Sequence, residues 1–160
     1  MDGGSEKTFI TRRLQQTLKF PVSTHHTQIT GLGGTIVGNS SSQCSFIIKS
    51  KNSNLILNMN AIVVSKFTSF LPSRYVKNEC IPQFEELQLT DPKFYKPAPI
   101  DIIIGSDFLP YINLKSVRSI MEHGLEARES QLGWYLSGPL LNIQILAFTT
   151  CAADSQDVLL

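Results

Sequence analysis

Cysteine is scarce in this chain of 160 residues, and what there is excludes two classes at once. Cys44, Cys80 and Cys151 are odd in number and widely spaced, with no C-x-x-C pair and no histidine at ligand spacing. Neither a disulfide framework nor a zinc site is indicated, and reduced, mostly buried thiols are expected. A long apolar run is also lacking. The longest apolar-leaning stretch, Pro139 to Phe148, is too short to cross a bilayer, and Asp2, Glu6, Lys7, Arg12 and Arg13 stand where a signal peptide needs apolar residues. These absences predict a soluble cytoplasmic protein with no membrane partner. Charge of one sign is missing as well: 14 basic residues balance 13 acidic ones to a net +1, and the bases are scattered. That excludes the basic stripe of a phosphate-backbone binder, so no nucleic-acid partner is expected.

The length suits one domain, with residues 1–138 as its body and 139–160 as a tail or linker drifting into Thr, Ala, Ser and Asp. Phe9, Ile10, Leu14 and Leu18 fall near helical spacing, Thr11 is placed to cap, and Pro21 follows, so residues 11–19 read as a short helix. From Gln28 onward the pattern turns to β, with segments at Thr35-Ile36-Val37, Cys44 to Ile48 and Leu55 to Val64 separated by Gly- and Asn-rich turns. Five prolines crowd into residues 66–99, which predicts an insertion that decorates the core without building it. Ile100 to Ile104 reads as a central strand, Ser106 to Ile112 as a short helical turn, and Leu125 to Leu136 as a terminal hairpin.

Three short motifs carry chemistry when taken in order. Asp2-Gly3-Gly4-Ser5 sets a carboxylate on a glycine turn, where the main chain can approach a neighbour and a nearby hydroxyl can orient the acid. Gly31-Leu32-Gly33-Gly34 lies between β-prone segments, where a hairpin could close over a ligand. Ile103-Ile104-Gly105 ends an apolar strand in glycine. His25 and His26 lack a third ligand, and they read as solvated residues ahead of the glycine turn, so no metal is expected.

From Asp2 to about Pro139 this order resembles the retropepsin-like aspartic proteases, in particular the protease segment of Pao/BEL long-terminal-repeat retrotransposon polyproteins. Asp2 to Ser5 with Thr8-Phe9-Ile10-Thr11 and Leu14 looks like the catalytic turn and the helix after it, and Gly31 to Thr35 looks like the flap. Leu71-Pro72-Ser73, Leu87 to Pro92, Phe94 to Pro97, and Pro99 to Asp107 look like the insertion and structural strand of that group, and Leu132 to Pro139 is similar to its closing block. The resemblance implies a mainly β acid-protease fold: a small closed barrel with a flap hairpin and one or two short helices. It implies an endopeptidase of the element's own polyprotein, acting in an intracellular particle as a homodimer with Asp2 contributed by each copy, and needing no cofactor. It also makes Asp107 a structural acid and Trp134 a packing residue. Two departures stand at the catalytic end. Gly3 replaces the Ser or Thr that usually follows the Asp, and Met1 alone precedes Asp2, where the family has an apolar strand. The same departures would suit a catalytically inactive remnant kept as a binding or structural module, or a polyprotein spacer.

Overall fold

The computed structural model describes residues 5–67, 70–76, 86–120 and 125–138. The chain is mainly β, with eight strands and two short helices among those residues. They divide into two compact units: residues 5–48, 56–67 and 100–109 in the first, residues 49–55, 70–76, 86–99, 110–120 and 125–138 in the second.

The first unit is built on strands β1 (Phe9–Thr11), β2 (Val22–Thr30), β3 (Ile36–Lys49), β4 (Ile56–Val64) and β5 (Ile102–Ile103), in the order β2-β3-β4-β1-β5. β4 explains why the core sits where it does. Its first half alternates, and its second half, Ala61-Ile62-Val63, is buried continuously, as a strand covered on both faces must be. Phe9, Ile10 and Thr11 pair with Ile62, Val63 and Val64 in parallel, and Ile10 is fully buried. Each such aliphatic side chain contributes roughly 1.5–3 kcal/mol by leaving water. β3 alternates through most of its length: Ser40, Cys44 and Phe46 are buried, whereas Asn39, Ser41, Ser45 and Ile47 are exposed, and Ser42 and Gln43 are both half-buried.

Between β1 and β2 runs helix α1 (Arg12–Leu18). Thr11 caps it by accepting the Leu14 N–H, and Lys19 closes it in the left-handed region at φ 54°. The helix is therefore as expected, but Phe9 and Ile10 belong to a strand. Pairing with β4 overrides their helical spacing.

Several other expectations need correction. No barrel closes among the described residues; the strands run from 14 residues in β3 to two in β5, too uneven to continue a ladder around a cylinder. Ile102 and Ile103 lie at the end of the sheet order, not in its centre: they pair with Ile10 and Phe9 of β1, and the Thr11 N–H extends that edge by donating to the Asp101 carbonyl. β3 runs unbroken through Gly38-Asn39-Ser40, a turn by composition, because the buried Ser40 hydroxyl donates to the Val63 carbonyl at 2.7 Å.

The second unit holds helix α2 (Leu109–Ile112), most of which lies in it, and a sheet of β6 (Asn113–Ile120), β7 (Leu125–Ser130) and β8 (Gly133–Ser137), in antiparallel order β6-β7-β8. The terminal hairpin is present. Ala127 is fully buried, with Leu87, Leu89, Phe94, Trp134 and Leu136 packed around it. Residues 66–99 thus help build this core, contrary to expectation, since Leu87, Leu89 and Phe94 all come from that stretch. Residues 139–160 lie outside those described.

Candidate functional site

The first unit positions the site by tying residues 5–11 to residues 101–108. Thr8 is the knot. Its carbonyl accepts from the Ile62 N–H at 2.9 Å, its N–H donates to Asp107 Oδ2 at 3.1 Å, and its hydroxyl donates to Asp107 Oδ1 at 2.8 Å while accepting the Gly105 N–H at 3.1 Å. Thr8 is buried, so leaving any of these groups unpaired would be costly, and none is. Gly105 lies flat against the same segment. A Cβ there would stand 2.4 Å from the Lys7 carbonyl oxygen and 2.5 Å from its carbon, a contact only glycine avoids. The Ser106 N–H donates to the Ser5 carbonyl at 2.8 Å, which carries the two segments side by side up to the edge of the described residues.

A second tie lies one strand-length away. Thr11 Oγ1 donates to Asp101 Oδ1, Arg13 pairs with Oδ2 of the same carboxylate, and the Thr11 N–H donates to the Asp101 carbonyl at 2.9 Å. Arg13 is largely exposed, so the ion pair itself stabilises little. The threonine bonds supply the register.

Of the predicted site residues, Asp2, Gly3 and Gly4 lie outside the described residues. Ser5 is described, and its hydroxyl donates to the Lys7 carbonyl at 2.7 Å. A hydroxyl has one proton, so Ser5 in this conformation does not orient a carboxylate by donation. Ile103 pairs with Phe9, and Ile104 is buried beside it. Gly31 to Gly34 form the tip of the β2–β3 hairpin: a 3₁₀ turn over Leu32–Gly34, with Gly33 and Gly34 at φ 71° and 75° and the Gly31 N–H donating to the Thr35 carbonyl at 2.8 Å. The left-handed pair is why glycine is needed there, and open space surrounds both Cβ positions.

β2 carries a bulge. Thr24 pairs with Ser42 and Thr27 with Ser40, so His25 and His26 together oppose Ser41. Both histidines are exposed. Below the bulge lies a cavity of about 320 Å³ whose lining includes Thr8, Asp107, His25, Thr27, Gln43 and Asn60. Sequence reasoning missed Thr27, Gln43 and Asn60 because they come from three strands and form no motif. The Thr8–Asp107 pair has a weak signal in sequence: an acid two residues beyond the glycine that ends an apolar strand.

Among the described residues no group of three or more His, Cys, Asp or Glu gathers to hold a metal ion, and no helix is long and apolar enough to cross a membrane. Burial pushes the Cys44 thiol up from its ordinary pKa. Comparison with protein-family models, curated proteins and solved structures gives no match.

Proposed function

We propose that this chain is one half of a retropepsin-like aspartic endopeptidase of Pao/BEL type, assembled as a homodimer that cleaves a polyprotein. The observation that supports it is the close approach of Gly105 to Lys7, two residues past the Asp2–Ser5 turn, braced by Thr8 and Asp107. Acid catalysis by paired carboxylates needs a rigid backbone at the turn, and a glycine pressed on the segment that follows the turn is the kind of brace that need calls for. The glycine-tipped β2–β3 hairpin is a second support, since it offers an element that can fold over an extended peptide.

In this reading Asp2 and its mate from the second copy flank one water. One carboxylate is ionised and takes the water's proton while the other, protonated, donates to the scissile carbonyl; like charges so close push the two pKa values apart. Asp107 takes no part, since both its oxygens accept from Thr8. The test is a cleavage assay on a peptide library with the full chain. Activity should be strongest at mildly acidic pH, inhibited by pepstatin, second order in protein at low concentration and abolished by Asp2→Asn. Hydrolysis that survives Asp2→Asn or responds to chelators would overturn the reading. A folded chain with no hydrolysis under any of these conditions would favour the alternative, a module that keeps the fold and has lost the chemistry, in which Gly3 has replaced a needed hydroxyl.

A further inference from the structure

We infer that the cavity between the β2 bulge and the Thr8–Asp107 brace is a side-chain subsite that takes a carboxamide, with glutamine its best occupant. The inference rests on the peptidase reading above and adds a substrate preference to it.

The cavity measures about 320 Å³, at the small end of the roughly 300–1,000 Å³ typical of ligand sites, which suits one side chain better than a whole small molecule. Its polar groups fall into two sets. Thr8 and Asp107 at the floor are engaged with each other: the threonine hydroxyl has both donated and accepted, and each carboxylate oxygen has accepted. The second set has capacity to spare. Among the described residues the Gln43 carboxamide, the Thr27 hydroxyl and the His25 ring have no hydrogen-bond partner, and Asn60 uses only its oxygen, which accepts from Ser45 at 2.7 Å. Gln43 and Thr27 are half-buried, so water satisfies them incompletely.

Charge selects among the polar occupants. Lys7 and Asp107 both line the cavity and their formal charges cancel, so neither a cationic nor an anionic side chain finds net compensation. A neutral group that both donates and accepts matches the unengaged amide, hydroxyl and imidazole. Apolar lining decides length. Ile62 and Phe108 offer surface to methylenes, which favours glutamine over asparagine.

The experiment uses one synthetic random-peptide library in two arms. In the first, the full chain is assayed for cleavage, and products are read by mass spectrometry. In the second, the immobilised Asp2→Asn full chain retains peptides from the same library without cutting them. Glutamine should be enriched about tenfold over leucine at one fixed position in the retained set, and Gln43→Met should abolish that enrichment. Should Gln43→Met fail to fold, Gln43→Glu serves instead, and it should move the enrichment from glutamine to lysine or arginine. A retained set without glutamine enrichment, or an enrichment that the Gln43 variants leave unaltered, overturns the subsite. Glutamine enrichment in the second arm with no cleavage in the first leaves the subsite standing and counts against the peptidase reading alone.

Discussion

The two units of this chain hold themselves together in different ways. In the first, a run of buried aliphatic side chains on β4 and β1 forms the interior, and hydroxyls such as Thr8 and Ser40 are buried within it and fully bonded. In the second, the apolar interior among the described residues is smaller, with Ala127, Ile112 and Val76 buried and one buried hydroxyl, Ser130, donating to the Gly133 carbonyl at 2.6 Å, and polar clamps on loops add to the order. Ser50 and Ser53 both donate to the Gln131 carbonyl, at 2.6 and 2.8 Å, and Asn52 donates to the Leu132 carbonyl at 2.6 Å. A buried polar bond fixes geometry because its loss leaves a desolvated group unpaired, whereas water replaces an exposed one at little cost. Rigid positioning of a reactive group therefore belongs to the first unit. The second is the place to expect tolerance.

Substitution of the close-approach glycines is the harshest way to break that contrast. Gly105→Ala drives a Cβ into the Lys7 backbone, where nothing can rotate aside, and should cost about 3 kcal/mol. Gly133→Ala is opposed by its φ of 117° and by the Gln88 carbonyl at 2.7 Å, but its nearest neighbour is the Asn52 side chain, which can swing away. Its cost should be smaller, about 2 kcal/mol. Urea denaturation of both variants decides; an equal or reversed order would show that the second unit is as unyielding as the first.

Asp107→Ala comes next, at about 2–3 kcal/mol, because it strands the Thr8 N–H and hydroxyl in a buried place. Asp107→Asn keeps one acceptor and should cost about half as much. If Asp107 were instead a catalytic acid, the Asn variant would lose hydrolysis at unchanged stability, so the two measurements taken together separate the roles. In the second unit, Ser50→Ala and Ser53→Ala should each cost about 0.5 kcal/mol, since either hydroxyl alone still serves the Gln131 carbonyl. The double variant should exceed their sum. Simple additivity would mean that the shared acceptor is satisfied by water and that the clamp is ornamental.

What could be read from the sequence follows the same division. α1 was legible because its cap and stop are local: Thr11 before the first turn and Pro21 after the last. β4 was legible because burial on both faces writes an unbroken apolar run. β2 was hidden over Val22 to Thr27 since nearly every residue there is exposed, so no alternation marks Ser-Thr-His-His-Thr as a strand. β6 was hidden for a related reason, with polar Lys, Ser and Arg interleaved among exposed Leu114 and Val117. At the site, glycine announced the close approach of Gly105 and the tip at Gly33 and Gly34, since only a backbone demand explains glycine in those places. The partners they meet were not legible. Lys7, Thr8 and Asp107 are joined by contacts spanning about a hundred residues of sequence, and pairing across that distance leaves no periodic trace.

Cys44 tests the interior of the first unit through pH, with an effect that stays small until the thiol begins to ionise. The thiol sits on the buried face of β3, and burial raises its pKa because the thiolate would lose water without gaining a compensating charge. In the unfolded chain it titrates near pH 8.5. Above that pH the unfolded state binds fewer protons than the native one, so stability falls as pH rises, by at most about 1.4 kcal/mol per unit until the native thiol itself ionises. Below about pH 7.5 both states hold the proton and the group contributes no pH dependence. Cys44→Ala should lower stability by a small constant amount and remove this part of the slope between pH 8 and 9.5, which subtracts the titration of every other group. Parallel curves for the two proteins would show that the β3 face admits water at Cys44, and the interior that holds Thr8 and Ser40 would then be looser than the rigid scaffold an acid-protease half-site requires.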